Sequence, residues 1–326
     1  MQLLNWKTDA KLIKDFDPSA VEKGTMNKYW LHLVSDSFAN PISIPLLVAK
    51  GMYDGPVVGI TAAVHGNELN GIPVIQRLFS DIDVSELRGM IIGVPVVNVP
   101  SFMRKKRRFP DGVDLNHIFP GKATGNVSQV YAYRFINRLV KHFDILLDLH
   151  TASFGRINSY YIRADMDEPK TAKLAELQNA DIIVHNPPSD GTLRGAADAL
   201  DIPAITLEVG NPNTFQKKLI RSGIEGIHNV LCHMDMIDDE MEVADHETVV
   251  CESSYWIYTD RGGILNVQAN LKQWLKKDEQ MASLRDIFGE KIKDFYAQEA
   301  GIVIGKSINP VNQTGGRILH LGIKRQ

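Results

Sequence analysis

Two cysteines, Cys232 and Cys251, are all that this 326-residue chain contains. No Cys-x-x-Cys pair occurs, which argues against a zinc ribbon, a thiol redox couple or a disulfide scaffold. Long hydrophobic runs are missing as well. The longest nearly apolar stretch, Pro56 to Val64, has nine residues, far short of the ~20 that a membrane-spanning helix needs. Met1 to Lys14 interleaves Trp6, Lys7, Asp9 and Lys11 with its apolar positions, the wrong pattern for a signal peptide. The expectation is a cytoplasmic protein without a membrane partner. Charge of one sign is not in excess either: 36 Lys+Arg face 39 Asp+Glu, a net charge of −3. Such a balance supplies no global field toward nucleic acid, so charge-based recognition must be local.

What is present suits a globular fold, with 44% hydrophobic and 23% charged residues and a length that predicts about two domains. From Val57 onward, β-branched runs alternate with amphipathic segments, the pattern of an α/β sheet whose strands are linked by helices. Strands are expected over Val57–Val64, Met90–Val97, Ile145–Leu149, Ile182–Val184 and Ala204–Val209. Helices are expected over Leu69–Phe79, Val127–His142 and Lys170–Ala180. Beyond about Glu247 the texture becomes short alternating stretches punctuated by Gly262-Gly263 and Gly315-Gly316. This predicts a catalytic α/β domain over 1–247 and a smaller β-rich domain over 248–326. Residues 1–50 are expected to pack on the first domain, with Ile44–Ala49 as an antiparallel edge strand and Gly51–Gly55 as its turn.

Chemistry concentrates at the strand ends, where open α/β sheets place their ligands. His65-Gly66-Asn67-Glu68 stands where the first strong strand gives way to a helix, and a histidine and glutamate three apart can bind one metal ion. Taken alone, the pair fits equally a loop histidine beside a solvated carboxylate. A second strand, Asp144 to Leu149, ends in His150, the third donor of a His₂Glu set that leaves zinc one open position. A third, Ala204 to Val209, carries Glu208, a carboxylate that needs a cation or a proton donor there. One convergent site is the economical reading.

In order, His65-Gly66-Asn67-Glu68, Asp114-Leu115-Asn116-His117-Ile118-Phe119-Pro120-Gly121, Leu147-Asp148-Leu149-His150 and Leu207-Glu208-Val209-Gly210 resemble the succinylglutamate desuccinylase and aspartoacylase family of the zinc carboxypeptidase-like superfamily. The resemblance implies a zinc carboxypeptidase-like mixed sheet flanked by helices, followed by the β-rich tail. It implies one zinc per chain on His65, Glu68 and His150, with Glu208 as general base and acid. Asp114 would hold the second ring nitrogen of His65, and Asn116 would bind a substrate carboxylate. The implied reaction is hydrolysis of the amide of a small, anionic N-acyl amino acid or N-acyl amine. A metallocarboxypeptidase or carboxylic ester hydrolase using the same zinc is the alternative, and a homo-oligomer is left open.

The pattern departs from the family at His117, where an arginine is usual. Histidine offers one donor and partial charge where arginine offers a planar fork. Either the substrate lacks the matching carboxylate or another cation replaces the grip. The unbroken run Arg104-Lys105-Lys106-Arg107-Arg108 holds candidates. It reads as a solvated loop, or as one that sends Arg108 or Arg107 into the pocket, Arg108 being taken as the catalytic cation and Arg107 as substrate-binding. Arg194 resembles a substrate-binding arginine of the family and fits equally an ordinary surface helix position. Tyr160-Tyr161 reads as a packed core pair that could also offer a phenol to the pocket.

Overall fold

The structure is a computed structural model that describes residues 9–325. The signal-peptide reading of the chain start therefore falls mostly on residues 1–8, outside the described part. Two strands, β1 (Lys11–Ile13) and β2 (Thr25–Ser35), precede the first one anticipated, and β3 (Pro41–Lys50) contains the expected Ile44–Ala49. Then come β4 (Tyr53–Ala62), α1 (Gly71–Asp81), β5 (Arg88–Val94), α2 (Val99–Met103), α3 (Val127–Arg138) and β6 (Ile145–His150). They are followed by β7 (Arg156–Asn158), β8 (Tyr160–Ala164), α4 (Pro169–Glu176), β9 (Ile182–His185), α5 (Leu193–Asp198), β10 (Ala204–Val209) and α6 (Lys217–His233).

The sheet runs β1-β2-β3-β5-β4-β6-β10-β8-β9 through this part of the chain. Its centre is parallel (β5, β4, β6, β10), whereas β8 runs antiparallel to β10, so the sheet is mixed. Alternation along β6 shows how both faces are covered. Leu146 enters a core with Tyr131, Phe135 and Leu193 of α3 and α5. Ile145, Leu147 and Leu149 enter another with Val74, Leu174 and Ile227 of α1, α4 and α6. Period two then places Asp148 and His150 on the α3 and α5 side, next to each other.

One expectation is corrected. Ile44–Ala49 is not an edge strand, because β3 is paired with β2 on one side and β5 on the other. Ile44, Leu46 and Val48 are at most 1% exposed, which an open edge would not provide. In β2 the polar residues Asn27, Lys28 and His32 hide the strand pattern, although Leu31 and Leu33 are fully buried.

Past residue 247 the chain adds β11 (Val249–Tyr258), β12 (Gly263–Val267), β13 (Trp274–Leu275) and β14 (Gln280–Arg285). It ends with β15 (Lys291–Tyr296), β16 (Gly301–Ser307), β17 (Val311–Asn312) and β18 (Arg317–Lys324). The tail is β-rich, but the large sheet continues into it. β11 runs parallel to β9 and antiparallel to β18, and β16 pairs with the short β7. A four-stranded sheet, β15-β14-β12-β17, packs its Leu265, Met281 and Leu284 against Val303, Leu319 and Leu321 of the large one.

Candidate active site

The segment leaving β4 carries His65 and Glu68, and tight packing fixes its path. A Cβ on Gly66 would lie 2.2 Å from the backbone of Ser101 and Phe102 in α2, so only glycine fits. Asn98 donates from Nδ2 to the Val64 carbonyl at 3.0 Å. Farther on, Asn70 donates to the Val209 carbonyl at 2.7 Å and accepts from Gln216 N at 3.0 Å, tying the start of α1 to the exit of β10. The two strand ends that carry the site are thus locked together.

His65, Glu68 and His150 offer ligand atoms within 4.8 Å of one another, and all three residues are buried. Each imidazole has its Nε2 held by an aspartate: His65 by Asp114 Oδ1 at 3.0 Å and His150 by Asp148 Oδ2 at 2.7 Å. Both Nδ1 atoms therefore face Glu68, at 2.9 Å from Oε1 and 3.0 Å from Oε2 respectively. The His65 Nδ1 contact is not aligned for hydrogen bonding, so that nitrogen is buried without a hydrogen-bond partner. The Thr151 amide donates to Glu68 Oε2 at 3.1 Å.

Electrostatics sharpen the picture. Burial resists ionisation of Glu68 and Asp114, but the histidines beside both, and Arg107 beside Asp114, hold the two carboxyls well below their ordinary range. Burial likewise opposes charge on His150, yet Asp148 and Glu68 raise its basicity well above normal. Of the buried carboxylates Glu68, Asp114 and Asp148, the first two share one directly bound guanidinium, that of Arg107. Protons on the imidazoles can balance the remainder. A divalent cation balances it with the imidazoles neutral, and two imidazoles with a carboxylate are the donors zinc accepts. The orphaned His65 Nδ1 and the aspartate behind each ring are thus a fit for such an ion.

Glu208 is opposite His150 in the parallel β10–β6 register, so the two side chains project from the same face of the sheet. Its Oε2 accepts from Asn158 Nδ2 at 3.2 Å, and its Oε1 lies 3.5 Å from Arg163 Nε. Arg163 also donates to the Tyr161 hydroxyl at 2.7 Å from Nη2. Tyr161 is buried and its phenol is pushed up, by burial first, so it stays neutral.

Within the basic run, Arg107 reaches the site: Nε donates to Asp114 Oδ2 and Nη1 to Glu68 Oε1, both at 2.9 Å. Arg108 does not. Its side chain is exposed and donates to the Gly112 carbonyl at 3.1 Å. Asn116 sits on the turn after Asp114 and accepts from Leu193 N at 2.8 Å, and its Nδ2 has no hydrogen-bond partner among the described residues. His117 is exposed and makes no side-chain hydrogen bond among the described residues. Arg194 is buried at 5% exposure, not a surface residue, and its guanidinium is spent on Asn186 Oδ1 at 2.6 Å and the Asn186 carbonyl at 2.8 Å.

Family relationships accord with this geometry. Residues 54–234 match the model for the succinylglutamate desuccinylase/aspartoacylase catalytic domain. The chain belongs to that family. Over 306 residues it is 24% identical to the N-alpha-acetyl-L-2,4-diaminobutyric acid deacetylase of Halomonas elongata, spanning 90% of this chain and 88% of that protein. Over 170 residues it is 28% identical to the succinylglutamate desuccinylase of Pseudomonas paraeruginosa, 48% of this chain and 51% of that one. Among solved structures, the product-bound ectoine utilization protein EutE (DoeB) of Ruegeria pomeroyi superposes with a TM-score of 0.83 at 22% identity, covering 92% of this chain and 95% of the other. A succinylglutamate desuccinylase/aspartoacylase from Rhodobacter sphaeroides gives 0.84 at 22% identity, over 94% and 98%. These two share the family fold, including the β-rich tail.

Three polar residues received no role in the sequence reading, although one of them, Asp148, stands inside the Leu147–His150 motif. Asp148 was detectable, since a residue two before a strand-end histidine shares its face. Asn158 and Arg163 were not, because they approach Glu208 from β7 and β8, whose neighbours in the sheet no local pattern specifies. A second group, Asp165, Asp167 and His185, also clusters. Its members are engaged elsewhere: His185 Nδ1 accepts from Met166 N at 3.1 Å, and Asp167 pairs with Arg325 at 2.8 Å.

Proposed function

We propose that the protein is a zinc-dependent amidohydrolase that removes the acyl group from a small N-acyl amino acid or N-acyl amine. The observation that carries this reading is the pair of aspartate-backed imidazoles converging on Glu68, with Glu208 in register beside His150. Membership of the family and the deacetylase relative matched over nine-tenths of the chain support it.

His65, Glu68 and His150 would hold one zinc, which when bound polarises a carbonyl and acidifies a water. Asp114 and Asp148 keep the protons of both rings on Nε2, so that Nδ1 lone pairs face inward. Glu208 accepts the water's proton and delivers it to the departing amine, a role that needs a carboxylate free to change hydrogen-bond partners. Asn158 and Arg163 orient it. Arg107 stands at the edge of the donor set and stabilises negative charge growing on the carbonyl oxygen. Asn116, whose Nδ2 has no hydrogen-bond partner among the described residues, binds a polar group of the substrate. The two cysteines are unpaired, and we place the enzyme in the reducing cytoplasm. None of the described helices is long and apolar enough to cross a membrane.

Metal analysis of purified protein should give about one zinc per chain. A panel of Nα-acetyl-2,4-diaminobutyrate, N-acetyl and N-succinyl amino acids, short peptides and esters then tests the bond cleaved. Turnover confined to peptides or esters would overturn the deacylase reading.

A further inference from the structure

Outside the donor set, the arginines and aromatic rings form one connected series. The Arg107 and Arg156 guanidiniums each lie 5.6 Å from the Phe154 ring centre. Arg156 also lies 5.3 Å from the Trp256 ring centre, and Arg317 lies 5.0 Å from it. The series therefore leads from the metal donors across β7 to β11 and β18 of the tail. Arg107 is neutralised by Glu68 and Asp114. Arg156 is not: among the described residues its guanidinium makes neither an ion pair nor a hydrogen bond. Among the described residues, the Arg317 side chain donates only to the Tyr258 hydroxyl, at 3.4 Å.

An uncompensated, half-buried cation is costly unless something anionic meets it. Burial, Arg317 and Arg107 push the Arg156 pKa down to about 10, and Glu208 and Glu68 act against that shift. Arg156 thus feels both the proposed base and the proposed metal ligand while remaining charged at neutral pH. Its neighbourhood is also built under constraint. Phe154, 59% exposed, adopts φ of +54°, a region that bulky L residues avoid. That conformation sets the ring beside two guanidiniums and in solvent. β7 is short, yet pairing with β16 anchors it, and the same strand sends Asn158 to Glu208. Stacking on two aromatic rings holds Arg156 in place while leaving its N–H groups free to donate.

We propose that Arg156, stacked on Phe154 and Trp256 and assisted by Arg317, is the group that binds the carboxylate of the substrate and so determines specificity. This rests on the proposed amide hydrolysis for its kinetic test only. It supplies the cation that His117, exposed and single-pronged, does not. It also gives the tail a role, since two of the residues around the anion belong to β11 and β18.

The test compares substrates that differ in one carboxylate. Nα-acetyl-2,4-diaminobutyrate carries it on the amine portion, N-succinylpropylamine on the acyl portion, and N-acetyl-1,3-diaminopropane has none. Arg156→Gln should raise KM for a carboxylate-bearing substrate by about 10- to 100-fold, the scale of a charge-assisted hydrogen bond. It should also collapse the KM preference over the diaminopropane compound to within about threefold, with kcat changed far less. Which carboxylated compound suffers assigns Arg156 to the amine or the acyl side, and either assignment supports the proposal. Arg317→Gln should show a smaller effect in the same direction, and Arg156→Lys should restore part of the preference. Binding is read independently of turnover by calorimetric titration of the Glu208→Gln enzyme with the same compounds, with and without Arg156→Gln. An unchanged preference, or equal losses for the uncharged and carboxylated compounds in a folded variant, would overturn it. Absence of hydrolysis with carboxylate-selective binding intact would instead remove the proposed reaction and leave Arg156 as the anion site.

Discussion

Replacing Asp148 by asparagine tests the core of the proposed metal centre, because the substitution is nearly isosteric and changes one thing. Aspartate accepts from two donors at once: Thr61 Oγ1 on Oδ1 at 2.6 Å and His150 Nε2 on Oδ2 at 2.7 Å. Asparagine has one oxygen and can serve only one of them. If the amide nitrogen turns toward His150, the imidazole must place its proton on Nδ1, the atom that faces Glu68 and that a metal would need. If the oxygen turns to His150, Thr61 loses its acceptor and the ring loses the negative charge that makes it a good ligand. Loss of such a partner weakens metal affinity by about 10- to 100-fold, equivalent to about 1.4–2.8 kcal/mol. Zinc dissociation constants, measured by competition with a chromogenic chelator, report this directly. Thr61→Val is the control. It removes the same hydroxyl but leaves the carboxylate on His150, and should shift zinc affinity by less than about threefold. An Asp148→Asn protein that binds zinc within about twofold of the parent would refute the argument that the aspartate sets the tautomer of His150.

Glu208→Gln should retain its zinc and lose about 10²- to 10⁴-fold in kcat, measured by release of free amine, because the amide cannot accept the proton. Arg107→Gln should lower kcat by about 10²- to 10³-fold, whereas Arg108→Gln, whose side chain turns to the Gly112 carbonyl, should cost less than about tenfold; the reverse order would reassign the cation. Metal-free protein should lose stability in acid. Glu68 and Asp114 have depressed folded-state pKa values, so their contribution is complete above the unfolded carboxylate value of about 4 and is lost progressively as pH falls below it. Melting temperatures of chelator-treated protein at pH 7, 5, 4 and 3 check the sign, and a flat profile in wild type, or an equal slope in Asp114→Asn, would refute it.

Much of the site was legible in the sequence because its main donors sit where strands end. A β-branched run followed by His65-x-x-Glu68, a buried run ending at His150 and a third carrying Glu208 are local patterns. In an α/β sheet, parallel neighbours bring such ends together without further specification. The amphipathic segments that became α1, α3 and α4 were readable for the same local reason, whereas β2 was not, its polar positions masking the alternation. The choice among basic residues was not local. Arg107 and Arg108 are adjacent and chemically identical, yet in the folded chain the first meets Glu68 and Asp114 and the second the Gly112 carbonyl. Arg194 looked equally suited to substrate or solvent; its burial against Asn186 rules out the surface position.

The sequence by itself therefore determined the α/β class, the strand-end donors and the β-rich character of the tail, because these follow from periodicity within about ten residues. The tertiary structure decided everything that depends on register. It set Glu208 against His150 across β10 and β6, brought Asn158 and Arg163 to Glu208, and carried the large sheet past residue 247. It also stacked Arg156 on Trp256, a residue exactly one hundred positions later in the chain. No short-range preference encodes a contact of that kind, since it exists only once β7 has paired with β16 and β11 with β18.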